Sequence, residues 1–191
     1  MLRSAHLFVL FAFALFMVVS STAQDATGKS SAGVTAADAR FMKAAAHGGL
    51  AEVELGQLAV QKASSNDVKQ FGQRMVDDHG KANDQLKELA AQKKVDLPQD
   101  LSAKDKATKA ELEKLSGEQF DRVYMNHMLK DHKKDVAEFQ HESKMAHDPD
   151  VKNFASQTLP TLQEHLKQAQ SIVPAEKAER SAVQPPNGAQ H

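Results

Sequence analysis

The sequence predicts an all-α fold: a ferritin-like antiparallel four-helix bundle with a long middle crossover that contains a short fifth helix. Three observations predict it. Glycine and proline are sparse, at 9 and 6 of 191 residues, tryptophan is absent, and the strong helix formers alanine, leucine, lysine, glutamate and glutamine abound. Apolar residues recur at three- and four-residue spacing along four long stretches, and strand signals are missing. The breaks between these stretches run short, long, short, which pairs the helices as two hairpins joined by a crossover.

Residues 1–23 are expected to be a signal peptide. Arg3 gives a short positive region, residues 7–19 an apolar core, and Ser21-Thr22-Ala23 a small-x-small cleavage site. The apolar run falls short of the roughly 20 residues that span a bilayer. The mature chain is therefore expected to be exported without a transmembrane segment, to the periplasm if the source is Gram-negative, with outer-membrane association open. Residues 24–34 form a polar, flexible linker. Gly28-Lys29-Ser30 is not a phosphate loop, because Ala23 stands where the upstream glycine belongs and no strand precedes it.

The bundle domain is expected over residues 35–173. Thr35 with Asp38 resembles an N-cap pair and opens a helix to about residue 63, with Phe41, Ala45, Gly48, Leu55 and Ala59 on one face. Ser64-Ser65-Asn66 breaks it and caps a second helix to about residue 94, whose stripe carries Val68, Phe71, Met75, Ala82, Leu86 and Leu89. After Leu97-Pro98, residues 102 to about 115 form a weak connecting helix with Ala107, Ala110, Leu112 and Leu115 to bury. Ser116-Gly117 ends it. The most apolar helix follows to about residue 146, with Phe120, Tyr124, Met125, Met128, Leu129, Val136 and Phe139 on one face. Asp148-Pro149 starts the last helix, which carries Val151, Phe154, Leu162, Ala169 and Ile172 inward to about residue 172 and is expected to kink at Pro160. Residues 174–191 are expected to be a disordered tail.

Each long helix places one ionisable residue among its apolar positions. At 100° per residue, Glu52, His79, His132 and His165 fall within the inward arcs of the four helices. Glu52 stands about 13 residues before the first turn and His79 about 14 after it, so the two should meet across the first hairpin. His132 and His165 stand about 16 or 17 residues from the second turn and should meet likewise. Neutral imidazole and carboxylate are ligands for zinc, iron or copper, so a divalent metal is one reading. The other is a polar core network, with no bound ion, that fixes helix register or answers to protons. Both stay open on the residues alone.

Several alternatives are excluded or weakened. Lys plus Arg number 24 against 25 Asp plus Glu, without a basic cluster, so a nucleic-acid partner is not expected. The chain has no cysteine, which removes thiolate catalysis and cysteine-ligated metals. A coupled di-iron site needs two Glu-x-x-His motifs; the single one, Glu138-x-x-His141, points away from His132. No paired nucleophile and base appears, so a non-catalytic role is expected, with a homo-oligomer or an envelope protein as the partner. Asp78, Asp131 and Glu164 each precede an inward histidine and lie beside the stripe, where they solvate the flank or orient a histidine of a neighbouring helix. Tyr124 and Glu54 are further candidates to support the layer. His47, His127, His141, His147 and His191 are expected mostly at the surface, and Met75, Met125 and Met128 are expected to fill core.

Taken together, Ala51-Glu52-Val53-Glu54-Leu55-Gly56-Gln57-Leu58-Ala59, Met75-Val76-Asp77-Asp78-His79 with Asn83 and Leu86, Phe120-Asp121 with Tyr124, Asp131-His132, Asp148-Pro149 with Phe154-Ala155, and Leu159-Pro160 with His165-Leu166 resemble the exported bacterial family called domain of unknown function 4142. The resemblance spans about residues 35–173. It implies a ferritin-like helical bundle behind a signal peptide and brings no activity with it. Glu52, His79, His132 and His165 all lie in the matching segments, and Glu54 is the rival carboxylate.

Overall fold

A computed structural model describes residues 33–183, with side chains through residue 173. The expected signal peptide, most of the linker and residues 184–191 lie outside the described residues. The fold is all-α: five helices and no strand occur among the described residues. They are α1 (Ala36–Lys62), α2 (Asn66–Lys93), α3 (Ala103–Leu112), α4 (Gly117–Met145) and α5 (Pro149–Val183).

Local signals set most of the ends. Thr35 and Asp38 form a reciprocal capping box at the start of α1, satisfying two backbone donors that the helix leaves free. Lys94 closes α2 in the left-handed region at φ 56°, with the Val95 N–H returning to the Ala90 carbonyl at 2.9 Å. The end of α5 differs from expectation. The helix runs through Pro174 to Val183, where a tail was expected from 174. Pro174 forfeits a backbone hydrogen bond, but Ala175, Glu176, Lys177 and Ala178 are strong helix formers and sustain the next turns.

The α1 and α2 helices pack against each other, as do α4 and α5, and the two pairs meet chiefly through α2 with α5. Each hairpin turn is held by a carboxylate of the other hairpin. Asp121 of α4 accepts hydrogen bonds from the Ser64 and Ser65 backbone N–H groups at 2.9–3.1 Å and from the Ser64 hydroxyl at 2.5 Å. Ser65, the N-cap of α2, makes no local side-chain cap. At the opposite end, Asp38 accepts from the His147 and Asp148 N–H groups at 3.0 and 3.3 Å, and Lys93 reaches Asp148 at 2.6 Å.

Two apolar clusters make up the core. One contains Leu55, Phe71, Met75, Phe120, Met125 and Ile172; the other contains Phe41, Met42, Leu86, Phe139, Phe154 and Leu162. Both draw on α1, α2, α4 and α5, and between them lies a polar stratum. Where α1 and α2 cross, Gly56 and Gly72 bring the backbones close: a Cβ on Gly56 would stand 2.6 Å from the Gly72 carbonyl oxygen. The connecting α3 buries Leu112, whereas Ala107 and Ala110, expected inward, are exposed.

Candidate metal centre

The polar stratum is made by three imidazoles from three helices. His79 of α2 is 7 % exposed and His132 of α4 and His165 of α5 are 0 % exposed. Their ring centroids form a nearly equilateral triangle, with 5.7 Å between His79 and His132, 5.3 Å between His79 and His165 and 5.3 Å between His132 and His165. One nitrogen from each ring lies within 4.8 Å of the other two. Rings bound to one ion through Zn–N distances of roughly 2.0–2.1 Å would have centroids about 5–5.5 Å apart, so the triangle already has the needed size. Phe71 borders the trio, with its ring 6.1 Å from His132 and 6.5 Å from His165.

Hydrogen bonds decide which nitrogens are free. His132 Nδ1 stands 3.0 Å from the Met128 carbonyl one turn earlier. A carbonyl only accepts, so Nδ1 carries the proton and Nε2 presents its lone pair. His165 Nε2 lies 2.9 Å from Asp78 Oδ2, leaving Nδ1 bare by the same logic. His132 Nε2, His165 Nδ1 and His79 Nε2 are all buried without a hydrogen-bond partner. Unpartnered buried polar atoms are uncommon because each forfeits its hydration. Three of them from one cluster could serve as the donor set of an imidazole-bound ion.

Asp78 is thus the outer partner of His165 and reaches it from the neighbouring helix. Arg74, one turn before it, donates from Nε to the same Oδ2 at 3.2 Å and also binds Glu164 at 2.6 Å and Gln168 at 3.2 Å. Its spacing of four from Asp78 was the available sequence signal. Glu52, 1 % exposed, approaches the trio at His132, with Oε1 3.8 Å from Nδ1. That is the nitrogen already committed to Met128, and the distance exceeds a hydrogen bond. Glu52 is grouped instead with Asp131 and Asp135 of α4, one oxygen of each lying within 4.8 Å of the others. Asp135 was not singled out by the sequence, although it stands four residues after Asp131 on the same face.

The remaining candidates separate. Glu54 pairs with Lys109 of α3 at 2.5 Å, away from the layer. Tyr124 is fully buried with an unpartnered hydroxyl, and Glu52 contributes to its environment. His141 and His147 are exposed, while His47 and His127, expected at the surface, are half-buried. Met75, Met125 and Met128 fill the core.

The electrostatics favour neutral imidazoles. Burial, then the two neighbouring rings, pushes His79 well below the ordinary histidine range. Burial, then His165, pushes His132 down to about 4. Burial lowers His165 too, and the Asp78 hydrogen bond offsets only part of this. Asp78 itself is lowered: burial opposes its charge, but the bonds from His165 and Arg74 outweigh it. Glu52 is raised well above the carboxylate range by burial first and then by repulsion from Asp131 and Asp135. His79 lines two cavities of about 230 and 210 Å³. The smaller also meets His165 and Asp78.

Comparison with known families and structures places these features in context. The model of the family described as domain of unknown function (DUF4142) matches residues 23–172. A comparison with curated proteins finds no match. Among solved structures, the chain is similar to a DUF305 fragment from Deinococcus radiodurans at 15 % identity, with a TM-score of 0.66, covering 75 % of this chain and 99 % of that one. It is also similar to a DUF305 protein from Streptomyces coelicolor, named as a candidate secreted protein, at 14 % identity and a TM-score of 0.62, covering 74 % and 94 %. At these identities the likeness concerns the fold.

Proposed function

From the premise that the chain belongs to the DUF4142 family, we propose that it is an exported metal-binding helical protein that holds one divalent ion of the zinc, copper or iron class through His79, His132 and His165. The observation that carries this reading is the convergence of three buried imidazoles, one nitrogen of each within 4.8 Å of the others, on a cluster in which each ring also has a buried nitrogen without a hydrogen-bond partner. Neutral imidazole suits these borderline ions. Three protein ligands leave a fourth position open, and the cavities beside His79 give it room for water or a small ligand. Glu52 stands behind His132 in this reading, outside the ion's immediate ligands.

We read the four long helices as a ferritin-like bundle, since α1, α2, α4 and α5 contribute to both apolar clusters. Export rests on the signal-like residues 1–23 and on the secreted description of one structural relative. No helix among the described residues is long and apolar enough to cross a membrane. We place its role in the cell envelope, in line with that export. The second reading, a metal-free polar network that fixes helix register, is favoured by the anchoring of His132 on Met128 and of His165 on Asp78.

Tag-free protein, stripped of metal and titrated with Zn²⁺, Cu²⁺ and Fe²⁺, separates the two readings. The proposal expects about one equivalent bound and a rise in Tm, because a ligand of the folded state stabilises it. His79→Ala with His165→Ala should abolish both. Less than about a tenth of an equivalent on wild type, with no thermal shift, leaves the network reading in its place.

A further inference from the structure

The carboxylate group beside the imidazoles has an independent use. We infer that Glu52, Asp131 and Asp135 form a second cation site, for a hard divalent ion bound through oxygen. Asp131 and Asp135 lie one turn apart on α4 and line the cavity of about 230 Å³. Glu52 comes from α1, is 1 % exposed, and has neither carboxylate oxygen in a hydrogen bond. It is aimed at the two aspartates, since one oxygen from each of the three residues lies within 4.8 Å of the others. Packing three carboxylates this closely, one of them dry and unpartnered, opposes folding unless something positive satisfies them.

A cation fits that role by size and by chemistry. Three oxygens bound to one ion at roughly 2.4 Å stand no more than about 4.2 Å from one another when evenly spread, so a trio within 4.8 Å can close on a Ca²⁺-sized ion by small side-chain rotations, and on Mn²⁺ by slightly more. Carboxylate and water are the donors these ions prefer over imidazole. The adjoining cavity, with His47, Asn83 and Ser102 also on its wall, supplies space for water ligands. Lys134 approaches Asp135 at 4.0 Å and Glu138 at 3.7 Å, and Lys104 also lines the cavity. These ammonium groups balance part of the charge from the rim but leave both Glu52 oxygens unpartnered. The site is distinct from the imidazole trio. Glu52 approaches His132 at Nδ1, whereas Nε2 of that ring is the nitrogen left without a hydrogen-bond partner.

Mn²⁺ is the probe, followed by its electron paramagnetic resonance signal with tag-free full-length protein, and Ca²⁺ as competitor. We expect about one equivalent of immobilised Mn²⁺ that Ca²⁺ displaces. Asp131→Asn with Asp135→Asn should weaken Mn²⁺ at least about tenfold while leaving the Zn²⁺-induced rise in Tm in place. His79→Ala should do the reverse, so failure of one site is distinguishable from failure of the other. Asp135→Asn alone, with its helical circular dichroism compared to wild type, controls for misfolding. Absence of bound Mn²⁺ on wild type, or equal binding in the double asparagine variant, overturns the inference.

Discussion

Asp78 lies beside the stripe that carries His79, yet its carboxylate holds His165 on another helix and is itself gripped by Arg74. This fixes the ring of His165 by its Nε2 and leaves its buried Nδ1 without a partner. Removing such an outer partner commonly weakens a bound metal by about 10–100-fold. Asp78→Ala is therefore expected to lower affinity for Zn²⁺ or Cu²⁺ by that factor with helical content unchanged. Competition against a chromophoric chelator measures it, and an affinity within about twofold of wild type would count against the assigned role. The inward direction of His79, His132 and His165 was legible from helical angle alone, because each falls among residues that must be buried. The placement of Asp78 and Asp135 was not. Residues that flank a stripe face one neighbour or solvent according to how the helices pack, which spacing along one helix does not encode. For the same reason Glu52, read as facing His79, is found grouped with acids of α4.

At the scale of elements, the crossing of α1 and α2 depends on paired glycines. A Cβ on Gly56 would meet the Gly72 carbonyl oxygen at 2.6 Å and Met75 Cβ at 3.2 Å, and one on Gly72 would meet Ala59 Cβ at 2.7 Å. None of these three atoms is the end of a flexible side chain, so the helices must separate. Gly56→Ala gains about 1 kcal/mol of helix propensity, yet we expect overpacking to dominate and a net loss of roughly 1–3 kcal/mol. Urea denaturation reads this directly; an unchanged or higher midpoint would show that the crossing yields cheaply. The helices themselves were legible from caps and periodicity, and α1 begins at the capping box that Thr35 and Asp38 announce. Which faces they bury was less so. Met42, Ala46 and Gly49 are buried although the predicted stripe ran through Ala45 and Gly48, which are half-buried. The α1 helix packs on α2, α3 and α4, and so buries a wider arc than one stripe.

Across the whole molecule, the polar stratum makes stability a function of pH in opposite directions. His79, His132 and His165 are lowered in the folded state, so the unfolded chain binds more protons and their contribution, complete above about pH 6.5, is lost as pH falls toward 4. For His132 alone the shift from 6.5 to about 4 corresponds to something on the order of 3 kcal/mol. Glu52 and Asp135 are raised, Asp135 to about 7. Their contribution is complete below the unfolded carboxylate range and is lost as pH rises through the folded values. Asp38 and Asp78 are lowered and act only in more acidic solution, while Lys93 and Lys109 are raised above 10.5 and act only in more alkaline solution. Metal-free protein should therefore be most stable near pH 6.5. Toward pH 5 the histidines outnumber the two acids and stability falls; toward pH 8 the ionisation of Asp135 and Glu52, both raised in the folded state, makes it fall again. Urea denaturation at pH 5, 6.5 and 8 tests this, with Glu52→Gln as the diagnostic variant. A neutral amide cannot ionise, so the alkaline decline should flatten while the acid decline persists. Wild-type stability that climbs steadily to pH 8, or an alkaline decline that survives Glu52→Gln, would mean that the buried carboxyl does not govern it.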